Sequence, residues 1–218
     1  MLGQGCNAGI KTAKLSNSKR DTFGFVCCAL SDKEIKKENI LVHPLALEPV
    51  MILVNSSNPI KDLSKQQVRE IFKGRIKNWK EVGGKDQAIV VVTRLHCKNR
   101  PGHWKRILPS AKQFRPERIN VKSADEMSQR VSDFSGAIGH IGSTWIFEAG
   151  NKTKPISVSG KRPTAANLKN KSYPFYRKLS AVTNRNPAPD VLKIIKEAQT
   201  GVGFRKVARE FELLPLVK

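Results

Sequence analysis

Apolar and polar residues follow two different periods along this chain, and each change of period marks an element. Residues 7–15 place Ala8, Ile10 and Ala13 at helical spacing, and residues 17–21 read as the turn after them. Residues 22–28 (TFGFVCC) predict a strand, and Ser31-Asp32-Lys33-Glu34 the start of a short helix. Residues 40–43 and 50–54 predict two strands separated by Pro44 and Pro49. Ser64-Lys65-Gln66-Gln67 fits a capping box, with Ser64 as N-cap and Gln67 reaching back. Val68, Ile71 and Phe72 then form an apolar stripe, and Gly74 supplies the stop. Residues 88–92 (AIVVV) are apolar without alternation, as expected of a parallel strand covered on both faces.

The second half continues the pattern. Pro101 suits the first position of a helix over residues 101–108. Ser123-Ala124-Asp125-Glu126 is a second capping-box candidate, opening a helix to about Phe134 that Gly136 ends. Strands are predicted at residues 137–141, 156–158 and 180–183, and helices at residues 190–199 and 204–211 on either side of a Gly201-Val202-Gly203 break. Strands alternating with helices argue for an α/β fold with mostly parallel sheets. There is no internal repeat, low-complexity stretch or long linker, which suits lobes that share the chain.

Bulk properties narrow the function. The 218 residues suffice for one large domain or two small lobes. No apolar run approaches the roughly 20 residues of a membrane helix. Residues 1–9 show neither an apolar signal core nor a cleavage pattern, which read literally means cytoplasmic. The formal charge of +22, from 40 Lys and Arg against 18 Asp and Glu, favours anionic partners. These charges are scattered and form no compact basic tail, so specific nucleic-acid binding is not expected; non-specific binding would show as retention on DNA falling steeply with salt. Cys6, Cys27, Cys28 and Cys97 make no CxxC or CxxCH motif, and adjacent Cys27 and Cys28 would strain the backbone if bonded to each other.

The most informative block is residues 58–84 (NPIKDLSKQQVREIFKGRIKNWKEVGG) with the strand 88–94 (AIVVVTR) after it. This block resembles, almost residue for residue, the middle of phosphate-type periplasmic solute-binding proteins of ABC transporters. Residues 22–34, 136–140 and 173–179 (YPFYRKL) follow in that family's order, and residues 201–216 resemble its ending. The resemblance implies a two-lobed, type II periplasmic-binding-protein-like α/β fold, with two hinge crossings at residues 50–55 and 178–183. Lobe one would then be residues 1–54 plus 179–218, and lobe two residues 55–178. It implies non-catalytic capture of a small, phosphate-like oxyanion in the cleft between the lobes, as the substrate-binding component of an ABC-type uptake system. It further implies a periplasmic or extracellular site of action, an ABC permease or membrane sensor as partner, a monomer, and no cofactor. No Gly-rich P-loop occurs and no convergent catalytic set is legible, so the protein is not expected to be an enzyme.

Two departures change the expected chemistry. The family's opening strand and phosphate-cradling turn have no counterpart here, so lobe one is expected to be marginal, because an absent inner strand leaves backbone groups unpaired. Where the first lobe's strand is usually followed by Ser and then Arg or Asp, this chain has Cys27 and Cys28; where the second lobe's Arg is usually followed by Ser-Gly-Thr, it has Lys98, Asn99 and Arg100.

Arg94 ends a buried strand at its carboxyl edge, where open α/β sheets place ligands, and a guanidinium grips oxyanions with a bidentate fork; the plainer role is tying two loops together through a carboxylate. Lys98, Asn99 and Arg100 precede a helix start, which favours an anion, or they form an exposed basic turn. Ser143 and Thr144 offer hydroxyls to the cleft or cap a turn. Cys27 and Cys28 would form the facing wall, or lie buried and inert. Cys27, Cys28, His96, Cys97 and His103 make a second candidate set: if the lobes close, these soft donors suit zinc, copper(I) or a thiophilic oxyanion such as arsenite. The alternative to anion capture is a sensory or interaction module whose pocket is vestigial or altered.

Overall fold

The computed structural model describes residues 5–15, 21–97, 100, 102–145 and 152–217. Its spine is one long strand, β2 (Ile40–Asn55), preceded by α1 (Gly5–Lys14), β1 (Gly24–Val26) and α2 (Asp32–Glu38). The two strands predicted around Pro44 and Pro49 are thus a single element. Proline removes a ladder donor, and the chain absorbs this at Pro44 by a register shift between Pro44 and Ala46. At Pro49 the strand changes partners. Residues 40–49 pair with β8 (Tyr176–Asn184), whereas residues 50–54 pair with β6 (Ala137–Gly142) and residues 52–55 with β7 (Thr153–Val158).

The sheet runs β1-β8-β2-β6-β4-β5, where β4 is Val90–Thr93 and β5 is Ile119–Asn120. Among the described residues, parallel pairing is confined to β4 with its two neighbours and to β3 (Asp62–Leu63) with β7. The ladders of β2 and the β1–β8 ladder are antiparallel, which corrects the expectation of mostly parallel sheets. The reason is topological. The chain runs out along β2 and back along β8, and two adjacent strands running in opposite directions pair antiparallel.

The result is a two-lobed α/β molecule. Beyond Pro49, β2 is buried on both faces, which is why its residues show no hydropathy alternation. Val50, Ile52 and Val54 face a core with Phe72, Trp79, Phe114, Tyr173 and Phe175. Met51 and Leu53 face another, with Val92, Met127, Val131 and Ile141. Buried polar tips find partners: Trp79 Nε1 donates to the Gly136 carbonyl at 2.9 Å and Tyr173 Oη to the Val50 carbonyl at 2.9 Å. α3 (Lys65–Lys73) has the complete capping box expected of Ser64 and Gln67, and Gly74 ends it at φ +78°. The box at Ser123 is half formed: Ser123 caps the Glu126 N–H of α4 (Ala124–Asp133), but the Glu126 carboxylate accepts from the Lys122 N–H.

The other lobe is thinner. Its cores join Cys6, Ile10, Val26, Cys28 and Val182 under α1, and Leu45 with Val191 and Ile195 under α6 (Pro189–Thr200). β1 is shorter than the predicted strand. It packs against α1 backbone to backbone, since a Cβ on Gly9 or Gly24 would overlap the other segment's main chain. α7 (Val202–Glu210) begins directly after Gly201, so the predicted break narrows to one residue. The helix expected over residues 101–108 is a short 3-10 turn, His103–Arg106. Gly102 at φ +133°, just before it, and His103 at φ +48°, its first residue, turn the chain away from α-helical geometry.

Candidate functional site

Arg94 leaves the carboxyl end of β4. Its backbone N–H points at His140 Nε2, 3.5 Å away, and its Nε donates to the Lys122 carbonyl at 3.0 Å. Among the described residues, its terminal guanidinium nitrogens have no hydrogen-bond partner. It lines a cavity of about 780 Å³. One wall comes from Arg94, His96, the start of α4 (Ser123, Ala124, Asp125), Thr144 and Trp145. The facing wall comes from α1, β1 and Cys27, with Leu45, Arg177 and Leu179 between them.

Beneath the cavity lies a buried ion pair, Arg177 Nε with Glu48 Oε2, joining β8 to β2. Gly142 makes room for it, because a Cβ there would overlap both partners. Glu48 also accepts the Thr144 N–H at 2.9 Å and the Thr144 hydroxyl. Burial works against the Arg177 charge, but Glu48 beside it more than compensates and its pKa is raised. Arg94 has no such partner: burial, and then the neighbouring Arg177 charge, lower its pKa. The cavity therefore holds a guanidinium whose charge no protein carboxylate answers by direct contact among the described residues. A small anion relieves that strain in the charge distribution.

Three imidazoles stand behind the two arginines. His140 is held down to about 3 by burial, then by His96, Arg94 and Arg177, so it is neutral at physiological pH and can accept the Arg94 N–H. Burial and then Arg177 push His103 well below its ordinary value. The His103 ring meets Arg177 Nη1 through Nδ1 at 2.6 Å, and its Nε2 lies 3.0 Å from Cys27 Sγ. His96 packs edge-on against His103, ring centres 4.2 Å apart. Cys27 also lies 3.5 Å from Cys6, and Cys97 3.7 Å from Cys6. Hydrogen bonding from Cys27 first, then from Cys28, sets the Cys6 thiol at about 7.

The expected site residues separate in the structure. Arg94, Cys27, His96 and Thr144 line the cavity. The Thr144 hydroxyl is spent on Glu48. Ser143 is buried with its Oγ unpartnered, and it does not line the cavity. Cys28 is buried in the first lobe's core. Arg100 is turned away: Nε pairs with Glu34 at 2.9 Å and Nη1 with Asn7 at 2.7 Å, so its fork is already occupied. Lys98 and Asn99 lie outside the described residues. Sequence reasoning missed Glu48, His140, Arg177 and Cys6. Arg177 and Glu48 carried a signal, as charges set within strongly β-forming segments (YPFYRKL and ILVHPLALEPVMILVN). His140 and Cys6 carried none.

Residues 19–204 match the family described as PBP superfamily domain. The chain belongs to that family. Relatives of this PBP-superfamily chain include the phosphate-binding protein PstS of Bacillus subtilis (strain 168), 32% identical over 143 residues, which are 65% of this chain and 46% of that protein. PstS of Borreliella burgdorferi is 28% identical over 168 residues, 72% of this chain and 60% of that one. The chain thus spans about half to three fifths of the length of these relatives. Among solved structures, a Clostridium perfringens protein assigned as a phosphate ABC transporter substrate-binding protein, with bound phosphate, superposes with TM-score 0.83 at 25% identity, covering 97% of this chain and 85% of that one. A Vibrio cholerae ABC-type phosphate transport receptor gives TM-score 0.68 at 26% identity, covering 95% and 84%. The motif resemblance read from the sequence therefore holds at the level of family and fold.

Proposed function

We propose that this protein binds a small, phosphate-like oxyanion between its lobes, without chemical turnover, as the solute-binding component of an ABC-type uptake system. The observation that carries this reading is the Arg94 guanidinium: it lines the cavity, sits at the carboxyl end of a parallel strand, and presents terminal N–H groups with no protein partner among the described residues. The N-terminus of α4 lines the same wall, adding unpaired backbone N–H groups and a favourable dipole. Asp125 beside it favours an anion that still carries an O–H, since a carboxylate accepts from a protonated oxyanion and repels a bare one.

A cavity of about 780 Å³ exceeds what one tetrahedral oxyanion fills. In this reading the ligand seats first against Arg94, and the lobes draw together over it only as far as contacts made in the shut form allow. In this reading the hinge lies where β2 changes partners after Pro49, a change of pairing that supports a crossing over residues 50–55. Such a component would work as a monomer in the periplasm or at the cell exterior and deliver its anion to a membrane permease. The names of the relatives support this role.

The test is a thermal-shift and calorimetric screen of phosphate, arsenate, sulfate and molybdate. Phosphate or a close analogue should raise stability by about 2.7 kcal/mol at a hundredfold excess over Kd. Arg94→Ala should abolish the shift while costing about 1 kcal/mol of unliganded stability, for the lost bond to Lys122. A wild-type protein that none of these anions stabilises sinks the reading.

A further inference from the structure

Four segments bring six soft donor side chains together beside the cavity: Cys6 from α1, Cys27 and Cys28 after β1, His96 and Cys97 after β4, and His103 at the 3-10 turn. We propose that Cys6, Cys27, Cys28 and Cys97 form a tetrathiolate site for a soft d10 cation, Zn²⁺ or Cu⁺. The inference stands on geometry and is independent of the anion reading. At a Zn–S length near 2.3 Å, the edges of a tetrahedral ZnS₄ unit are about 3.8 Å. Cys6 Sγ lies 3.5 Å from Cys27 Sγ and 3.7 Å from Cys97 Sγ. The donor atoms of Cys6, Cys27 and Cys28 all fall within 4.8 Å of one another; Cys97 Sγ, outside that group, touches it through Cys6 and would close in as the fourth ligand.

The surroundings suit an ion. Cys6 and Cys28 are 1% and 2% exposed, while Cys27 and Cys97 are half-buried and Cys27 borders the cavity, which leaves an ion a route in. Cys97 holds φ +52°, a backbone conformation unfavourable for a non-glycine residue, and its sulfur ends against Cys6. Gly102, at φ +133°, keeps the second-lobe loop in contact distance of Cys28, and a Cβ there would lie 3.5 Å from its Sγ. Loading Zn²⁺ releases four thiol protons and leaves a centre of charge −2, which the nearby Arg177 charge stabilises. Cu⁺ satisfies itself with fewer of the same sulfurs. His96 and His103 stay beside Cys27, with ring nitrogens within 4.8 Å of its sulfur, as outer partners.

A disulfide is the competing use of these thiols. Cys6–Cys27 is the pair placed for it, but that bond would leave Cys28 and Cys97 with no function in common. An ion uses all four and ties α1, the loop after β1 and the loop after β4 into one unit. Because Cys97 follows β4, on the far side of the cavity, the ion would also join the two walls and restrict their opening.

The experiment uses the full chain, purified under reducing and metal-free conditions. Co²⁺ serves as a spectroscopic probe, Zn²⁺ is titrated against a chromophoric chelator, and Cu⁺ is titrated anaerobically against a copper(I) chelator. One equivalent of Co²⁺ should produce a thiolate-to-cobalt charge-transfer band with tetrahedral d–d bands, bleached by Zn²⁺; tighter capture of Cu⁺ would assign copper. Zn²⁺ should protect all four cysteines from alkylation, read by mass spectrometry on the unmutated protein. Cys97→Ser should weaken Zn²⁺ binding by more than about tenfold, a loss seen even for outer-shell partners. Arg94→Ala should leave metal uptake intact, which separates failure here from failure of the anion site. The proposal is overturned if the reduced protein takes up none of the three ions at one equivalent. It is also overturned if replacing all four cysteines by serine leaves binding unchanged, or if Cys6 and Cys27 are recovered as a disulfide without added oxidant.

Discussion

The two lobes hold themselves together by different means. In the larger, the second half of β2 is sandwiched between Val50, Ile52 and Val54 on one face and Met51 and Leu53 on the other, each packed on buried helices and aromatics. Every fully buried large side chain there contributes about 1.5–3 kcal/mol, so the lobe does not depend on any single contact. The smaller lobe rests α1 on a three-residue strand through Gly9 and Gly24, and its core sets the thiols Cys6 and Cys28 among aliphatic side chains. Redundant apolar burial makes a frame that tolerates change; close backbone contact and polar clusters make a wall whose position depends on a few atoms. Both kinds meet at Glu48 and Arg177, in the floor of the cavity.

The largest expected effect is at that junction. Arg177→Met strands Glu48 as a buried uncompensated charge and should cost about 3–5 kcal/mol in urea or thermal unfolding. Adding Glu48→Leu should restore most of it, because an apolar pair of similar volume is often as stable as a buried ion pair. If the double variant is no more stable than the single one, the pair is not the joint between the lobes. Next comes Gly24→Ala on the thin wall, where the new methyl would overlap the Gly9 carbonyl. Overpacking of this kind costs about 1–3 kcal/mol, with loss of α1 protection in hydrogen exchange, while exchange in β4 and β6 stays slow. Equal loosening of both lobes would erase the contrast drawn between them.

Over a single pH unit the smallest effect is a slope with pH at the seam. His140 has its folded pKa held at about 3 against an ordinary 6.5. Between those values the unfolded chain binds the proton and the folded one does not. Stability is therefore fully present above pH 6.5 and falls as pH drops toward 3, by about 1.4 kcal/mol per pH unit for this group. His103 shifts in the same direction and should add to the slope. Denaturation midpoints at neutral and mildly acidic pH should show it, and His140→Gln should flatten it by one proton. An unchanged slope in that variant would mean His140 is charged in the folded state.

The helix starts at Ser64 and Ser123, the stop at Gly74, the strand feeding Arg94 and the family membership were all legible in the chain. Each depends on neighbours within a few residues, or on local motifs in a given order. The merging of two predicted strands into β2 was not legible, because Pro44 reads locally as a breaker and only the partner strand shows that a register shift absorbs it. Arg94 stood out as a candidate because it ends a local pattern, and it lines the cavity. Arg100, six positions later, looked equally available until Glu34 and Asn7, far away in the chain, occupied its guanidinium.

Order along the chain, then, settles which segments become helix or strand and what chemical groups the loops carry. Folding settles which of those groups stay unanswered. Arg177 finds Glu48 across 129 positions, Cys97 finds Cys6 across 91, and Arg94 is left facing open space. The reason is that a side chain's charge state and partners depend on distances of a few ångströms between residues remote in sequence, and only the packed sheet sets those distances.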